Sequence, residues 1–481
     1  MSDWWLPDNS ASKTPGTYTI LETGDAKAVL HRPLGDQHPL GFRPSMHPLV
    51  HGNAFGKSVT LIDARTGRSR TKMNGQAEIE LRPRMAIEGL LLSEDELEVT
   101  EARVQIQNQD DWLSPRSFHV ERDPQGWPKN VSIHRFAEHV ALAGNALISI
   151  GDFSVIQGGL SNFSISSKSG FHLYFEKPIP IDKLFSVHLR GLQVLMTLVT
   201  GSRCGIESLR FTNDQWNIGG VVPESPRWVD VRVRAPELNS AKINPAKMLF
   251  PASSLRWEEQ APRVMSLSND WVYAVEQWAL LLDGRFVWPV ARFATAASAV
   301  EALDRILNPD EQYEPDHALI ERVAKALKEA SIPSKDRAKV KGALKRPRET
   351  SLEQRIRRLT LHAPEAMRQI IDEPQWNSRV ARLRHVVSHG LRSSEEFSQD
   401  VRSVQCGAEI LLHLLECVFL SHLGFDAEQI ADIKRGHPNT SWRKSVVQEC
   451  FHLFPEVPGQ AAATKEGPSG SEGDGPPLAP A

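Results

Sequence analysis

The sequence predicts an α+β multidomain protein, a β-rich N-terminal domain of sandwich or barrel type followed by an all-α helical bundle. Three observations predict it. Over the first half, short runs alternate apolar with polar residues, and Gly, Pro, Asn or Asp separate them. Over the second half, apolar residues recur at helical spacing through long segments. The last stretch, 456–481, is rich in Pro, Gly, Ala and Ser. It cannot bury enough apolar surface to offset chain entropy, so a disordered tail is expected there.

Taken in order, "KSVTLIDAR" (57–65), "GQAEIELRPR" (75–84), "LEVTEARVQIQ" (97–107), "NVSIHRF" (130–136), "ALISIGDFSVI" (147–156) and "FHLYFEKPI" (171–179) read as strands. Residues 181–201 break the pattern. Leu184, Leu189, Leu192, Leu195 and Met196 fall at helical spacing, and Asp182 suits a helix start. "RWVDVRVRAPE" reads as a further strand before a Pro-rich connector. Then come helices at 294–307, striped by Ala296, Val300, Leu303 and Leu307 and ending before Asn308-Pro309, and at 317–330. A third, at 406–420, is striped by Ile410, Leu411, Leu414, Leu415 and Val418. The expected domains are 1–225, β-rich; 226–290, a connector with a strand and helices; 291–455, helical; and 456–481, the tail. Trp4, Trp5, Trp112, Trp127, Trp216, Trp271 and Trp278 could build aromatic contacts, but core or domain-interface packing is the expected use for most of them.

Composition narrows the function classes. The 481 residues are 40% hydrophobic and 24% charged with a net charge of −3, so no global field draws the chain to nucleic acid or an anionic membrane. Four cysteines with no Cys-x-x-Cys pair do not form a disulfide framework and suit a reducing, cytoplasmic setting. The N-terminus lacks a basic start followed by an apolar run, so no signal peptide is expected. The greasiest stretch, 410–425, reads as a buried helix too short for a bilayer, so no membrane partner is expected.

Locally the charge is uneven. Residues 333–359 hold ten Lys and Arg against three acids. A phosphate-rich partner would gain from such a run, which makes Lys339, Lys341, Lys345, Arg346 and Arg348 candidate RNA contacts; a solvated linker and helix face is the competing reading.

The stretch "WNSRVARLRHVVSHGLRSSEEF" (376–397) carries the chemistry. As a helix turning about 100° per residue, it puts Trp376, Val380, Leu383 and Val387 on one core-facing stripe. Arg384, His385, Ser388 and His389 then lie on the arc away from it, with Arg382 on that side too. Gly390 suits the helix end. Three readings compete: a polar helix face, a zinc site on His385 and His389, and phosphodiester cleavage. The zinc reading lacks the His-Glu-x-x-His pattern and further ligands at a clear spacing. RNA cleavage needs a base for the 2′-hydroxyl, an acid for the leaving oxygen and a cation for the phosphorane, jobs suited to His and Arg. Arg382 and Arg384 are both candidates for that cation, and Arg379 precedes His385 at a similar spacing.

"RHVVSHG", with Arg384, His385 and His389, resembles the signature of HEPN domains (higher-eukaryote and prokaryote nucleotide-binding). "SLEQRIRRL" (351–359), "PQWNSRVARLR", the apolar helix at 404–423 and Glu301 in "AVEAL" are similar to the Apea-like branch. "HGNAFGKSVTLIDA" (51–64) and "FHLYFEKPI" with its following helix resemble the N-terminal domain paired with that branch. The resemblance touches most of the chain up to about residue 430. It implies a HEPN bundle that forms a homodimer, or a higher homo-oligomer, with a composite RNA-cleaving site that needs no metal or other cofactor. It also implies a toxin-like role in prokaryotic anti-phage defence by abortive infection, with a phage-derived trigger and gating by the N-terminal domain. By this carry-over Arg384 and His389 are catalytic, His385 fills the polar position after the arginine, and Glu301 is the acid from an earlier helix. Asparagine is common where this chain has His385. The alternative within the resemblance is a non-catalytic HEPN module that binds RNA, nucleotide or a partner protein.

Overall fold

The computed structural model describes residues 2–34, 45–71, 77–113, 118–126, 128–133, 139–159, 162–216, 227–234, 242–282, 288–309, 317–345, 350–389 and 394–454. The tail at 456–481 lies outside them. The chain forms two compact units, residues 1–284 with 419–425, and residues 285–418 with 426–481.

The first unit is built on one antiparallel sheet of strands β1 (Ser2–Trp5), β2 (Thr14–Ile20), β3 (Ala26–Leu30), β4 (Met46–Ala54), β5 (Lys57–Thr71), β6 (Ala77–Arg82), β7 (Met85–Glu88) and β8 (Glu98–Ile106), with further strands from the later chain. A separate hairpin pairs β9 (Phe118–Arg122) with β10 (Pro128–Ile133). The main sheet continues with β11 (His139–Ala143), β12 (Ala146–Gly159), β13 (Asn162–Pro180), β14 (Ile206–Thr212) and β15 (Val229–Val233). Its order is β11-β12-β13-β8-β14-β15-β7-β5-β4-β1-β2-β3-β6, and β6 returns to pair with β5. That return closes β1 to β6 into a barrel, which leaves those strands no free edge.

β5 makes both structures possible. Its first part, Val59 to Ile62, pairs with β7, and its second part, Arg65 to Thr71, pairs with β6. Alternate residues Val59 and Leu61 join Ala28, Leu30, Val50, Ile79 and Leu81 in the barrel core. Trp4 sits in that core with no exposed surface. A Cβ on Gly52 would lie 2.3 Å from its ring, so only glycine admits the indole against β4. This explains why β2 and β4 are harder to see in the sequence than β5. Pro15, Gly16 and Gly52 interrupt the apolar alternation that marks a strand, yet the two glycines are needed where a Cβ would strike the Val29 carbonyl (2.6 Å) or the Trp4 ring (2.3 Å).

The expected strand near Arg227 is β15, and it pairs in this sheet with β14 and β7. The expected helix at 181–201 is also found, as Ile181–Lys183, Leu184–Leu189 and Arg190–Thr200, the middle piece wound in wider π turns.

The second unit is helical: Pro289–Leu307, His317–Glu329, Ser334–Lys345, Leu352–Thr360, Pro364–Arg368, Trp376–His389, Ser394–His422, Ala427–Lys434 and Pro438–Cys450, with the end of the long helix counted in the first unit. The long helix exceeds the apolar stretch read from sequence. Its Val401–His422 part has the length and apolar composition to cross a membrane, which corrects the expectation of a segment too short for a bilayer. Of its most apolar window, 94% is buried in the protein, so core packing accounts for its composition. Gly407 on this helix lets others come close: a Cβ there would stand 2.8 Å from the Phe293 ring and 3.1 Å from Leu383.

A charged cluster is buried beside these apolar contacts. Glu416 accepts hydrogen bonds from Lys434 (2.6 Å) and from both terminal nitrogens of Arg443 (2.6 and 2.9 Å). Glu409 accepts from Arg443 Nε (3.1 Å) and Arg292 (2.6 Å). Burial favours a neutral Glu416, but Arg443 and Lys434 overcome it and hold the carboxyl well below the usual range. His413 is fully buried and donates from Nε2 to the Ala366 carbonyl (3.0 Å). Burial, then Lys434 and Arg443, push its pKa far down, so it is neutral in the fold.

The depressed His413 pKa sets a sign for stability. Below the unfolded value of about 6.5 the unfolded chain takes up a proton that the folded chain refuses, so acid favours unfolding. Urea denaturation at pH 7, 6 and 5 should show stability falling with pH, with up to about 1.4 kcal/mol per pH unit from this group. His413→Gln should reduce the slope over that window; an unchanged slope would refute the assignment.

Candidate active site

The site is assembled where the helices Pro289–Leu307, Leu352–Thr360 and Trp376–His389 pack together. Val380 and Leu383 are buried to 0% and 1% exposure and anchor the last of these in the core. Trp376 and Val387, expected on the same stripe, are half-buried. The opposite side carries Arg384, half-buried, and His385 and Ser388, both exposed. The helix reaches His389, whose side chain lies outside the described residues, as does Gly390.

Arg384 meets the acid that the sequence singled out. Its guanidinium is 3.5 Å from the Glu301 carboxylate, with side-chain exposures of 41% and 24%. A pair this open is worth only about 0–1 kcal/mol, so a phosphate could take the arginine from it. The carboxylate meanwhile gives the guanidinium a preferred direction.

One turn along from Glu301 lies a contact that sequence reasoning missed. Asp304, 1% exposed, accepts from Arg355 Nη1 (3.0 Å) and from Arg358 through Nε (3.1 Å) and Nη2 (2.6 Å). Arg355 Nη1 also approaches the Glu301 carbonyl oxygen at 3.4 Å. This clamp fixes the helix that carries Glu301. The available signal was an acid between Leu303 and the helix end, with two arginines beside Ile356 and Leu359.

The clamp also revises the basic stretch, because Arg355 and Arg358 are spent on Asp304 and Arg357 pairs with Glu353 at 3.1 Å. Lys339 lies 3.7 Å from Asp336, and Lys341 lies 3.2 Å from Glu321. Lys345 ends its helix with its side chain outside the described residues; Arg346 and Arg348 lie outside them entirely. Of the rival arginines, Arg379 is structural: it donates to the carbonyls of Phe451 (3.1 Å) and Phe454 (3.0 Å) and stacks on the Phe451 ring. Arg382 is half-buried. Among the described residues, no three or more His, Cys, Asp or Glu are grouped to hold a metal ion.

A helical bundle presenting an arginine–carboxylate pair beside an exposed histidine is the architecture expected of a HEPN domain. Comparison with protein families agrees in both halves. The model for ApeA N-terminal domain 1 matches residues 2–259, and the model for Apea-like HEPN matches residues 294–429. The chain therefore belongs to the family that joins an ApeA N-terminal domain to an Apea-like HEPN domain, a type related to ribonucleases and to antiviral defence. No curated protein and no solved structure matches it.

The two acids of the Pro289–Leu307 helix should respond differently to replacement. Asp304→Ala strands the buried Arg355 guanidinium and should cost about 3–5 kcal/mol in chemical denaturation. Glu301→Gln should stay within about 1 kcal/mol of the parent chain. Equal losses would contradict the division into buried clamp and open pair.

Proposed function

We propose that the chain is a metal-independent endoribonuclease of the HEPN type, acting in the cytoplasm in prokaryotic anti-phage defence. The observation that carries this reading is the pairing of Arg384, on the helix that ends at His389, with Glu301 of the Pro289–Leu307 helix, all within the matched HEPN region.

In this reading Arg384 leaves Glu301 for the scissile phosphate and offsets the charge that builds on the phosphorane oxygens. His389 acts as general acid or base. As a base, it takes the 2′-hydroxyl proton while that oxygen attacks phosphorus. As an acid, it protonates the departing 5′-oxygen. The products are a 2′,3′-cyclic phosphate and a free 5′-hydroxyl, so the transesterification consumes no water. His385, one residue after the arginine, positions the phosphate or assists the proton transfer.

Acid and base must stand on opposite sides of one phosphate, and a second protomer supplies the other set. A homodimer, or a higher homo-oligomer, facing its exposed helix sides together meets that need. Lys339, Lys341, Lys345, Arg346, Arg348 and Arg382 would guide RNA by charge. The N-terminal domain would hold the nuclease inactive until a phage-derived trigger arrives.

The test is cleavage of bulk RNA in excess EDTA by the full chain, alone and in phage-infected cells expressing it. Wild type should cut. Arg384→Ala and His389→Ala should lose at least a hundredfold, within the range one acid–base or electrostatic group supplies. Absence of cutting under every trigger would favour a non-catalytic module that binds RNA, nucleotide or a partner protein. Cutting that persists in His389→Ala would overturn the site.

A further inference from the structure

We infer that the first unit holds a binding site for a phosphorylated small molecule of about mononucleotide size. It uses none of the nuclease residues proposed above. A cavity of about 680 Å³ lies within this unit, inside the roughly 300–1,000 Å³ range of small-molecule pockets. Its charged lining is four arginines, Arg84, Arg190, Arg203 and Arg234, against Asp63, Asp182 and Glu276, with no lysine.

All three carboxylates are committed to two of the arginines. Arg84 binds Asp63 (2.7 Å) and Asp182 (2.6 Å), and Arg190 binds Glu276. Among the described residues, the side chains of Arg203 and Arg234 have no hydrogen-bond or ion-pair partner. Four guanidinium groups against three carboxylates leave one net positive charge, and it resides where two forks are unspent. Arginine forks match the oxygens of a phosphate, and a dianionic phosphate can engage both.

The scaffold beneath Arg203 is firm although Arg203 takes no part in it. Cys204 N donates to Thr197 Oγ1 (3.2 Å), Gln193 Nε2 donates to the Cys204 carbonyl (3.3 Å), and Gln107 N donates to the Gly205 carbonyl (2.9 Å). Arg234 follows β15, and its backbone N–H donates to the Arg84 carbonyl (2.9 Å), which ties two of the cavity arginines to neighbouring strand ends. A loop held this firmly, with its cation left over, is preorganised for an anion.

The remaining wall suits an organic body. Phe185, half-buried, and Val194, Val275 and Ala279 give an apolar flank. Phe185 lies in the π-wound Leu184–Leu189 piece, a distortion that recurs at functional sites. Burial pushes the Cys204 thiol up to about 11, so it stands in the wall as a neutral group.

Isothermal titration of the purified full chain with AMP, UMP, ribose 5-phosphate, adenosine and inorganic phosphate tests the site, with a hexa-aspartate peptide as a rival. At least one of the three phosphorylated organic probes should bind. Adenosine should bind at least tenfold more weakly than AMP if AMP is the probe that binds, and inorganic phosphate should compete. The Arg203→Ala/Arg234→Ala double variant should lose at least tenfold in affinity while its melting temperature without ligand stays near wild type. Should that variant fail to fold, Arg203→Lys and Arg234→Lys each replace a fork with a point charge and should weaken binding severalfold. No binding by any phosphorylated probe, full binding by the variants, or binding of the peptide alone would overturn the inference. The readout is affinity, so it fails or stands separately from RNA cleavage.

Discussion

Asp304 is the contact on which the helices of the candidate site depend. One carboxylate, withdrawn from water, receives three guanidinium hydrogen bonds from the Leu352–Thr360 helix. Removing a charge from solvent is costly, and close, well-directed partners are what make it tolerable. The arrangement has little freedom to drift. It fixes the Pro289–Leu307 helix, and with it the position of Glu301 opposite Arg384. The close approach at Gly407 sets the remaining distance, because Phe293 and Leu383 come from the two helices that carry this pair.

The second unit therefore separates two uses of the same chemistry. Buried ion pairs, at Asp304 and at Glu409 and Glu416, define the packing. The half-open pair at Arg384 is weak enough to exchange for a ligand. An arginine as deeply committed as Arg355 could not serve a phosphate without unsettling its own scaffold. Arg384 can, because water already solvates part of it.

Much of this was legible in the residues. The strand at 57–65, the helix at 376–389 and the outward placement of Arg384 and His385 follow from alternation and from helical spacing. The strands β2 and β4 were not, because Gly16 and Gly52 make room for Trp4 rather than keep an apolar rhythm. The fate of Arg355 and Arg358 was hidden for a different reason. In the sequence they add to a basic run, and only the packed fold brings Asp304 to them from about fifty residues away. Local periodicity reports which face is apolar. It cannot report which charges will cancel across helices.

The double use of β5 carries a consequence for how such chains can be recombined. The strand is a common staple: one half closes the barrel through β6, the other opens into the wide sheet through β7. A cut between Arg82 and Met85 frees β1 to β6 with this staple whole, but it strips the Val59–Ile62 half of its β7 partner. A chimera that imports a barrel from a relative must bring the whole of residues 57–71 and satisfy Met85 to Glu88 of its new host. Exchange of this module is thus constrained by the exposed edge it would carry, and a crossover inside residues 57–71 would split the two pairings between different parents.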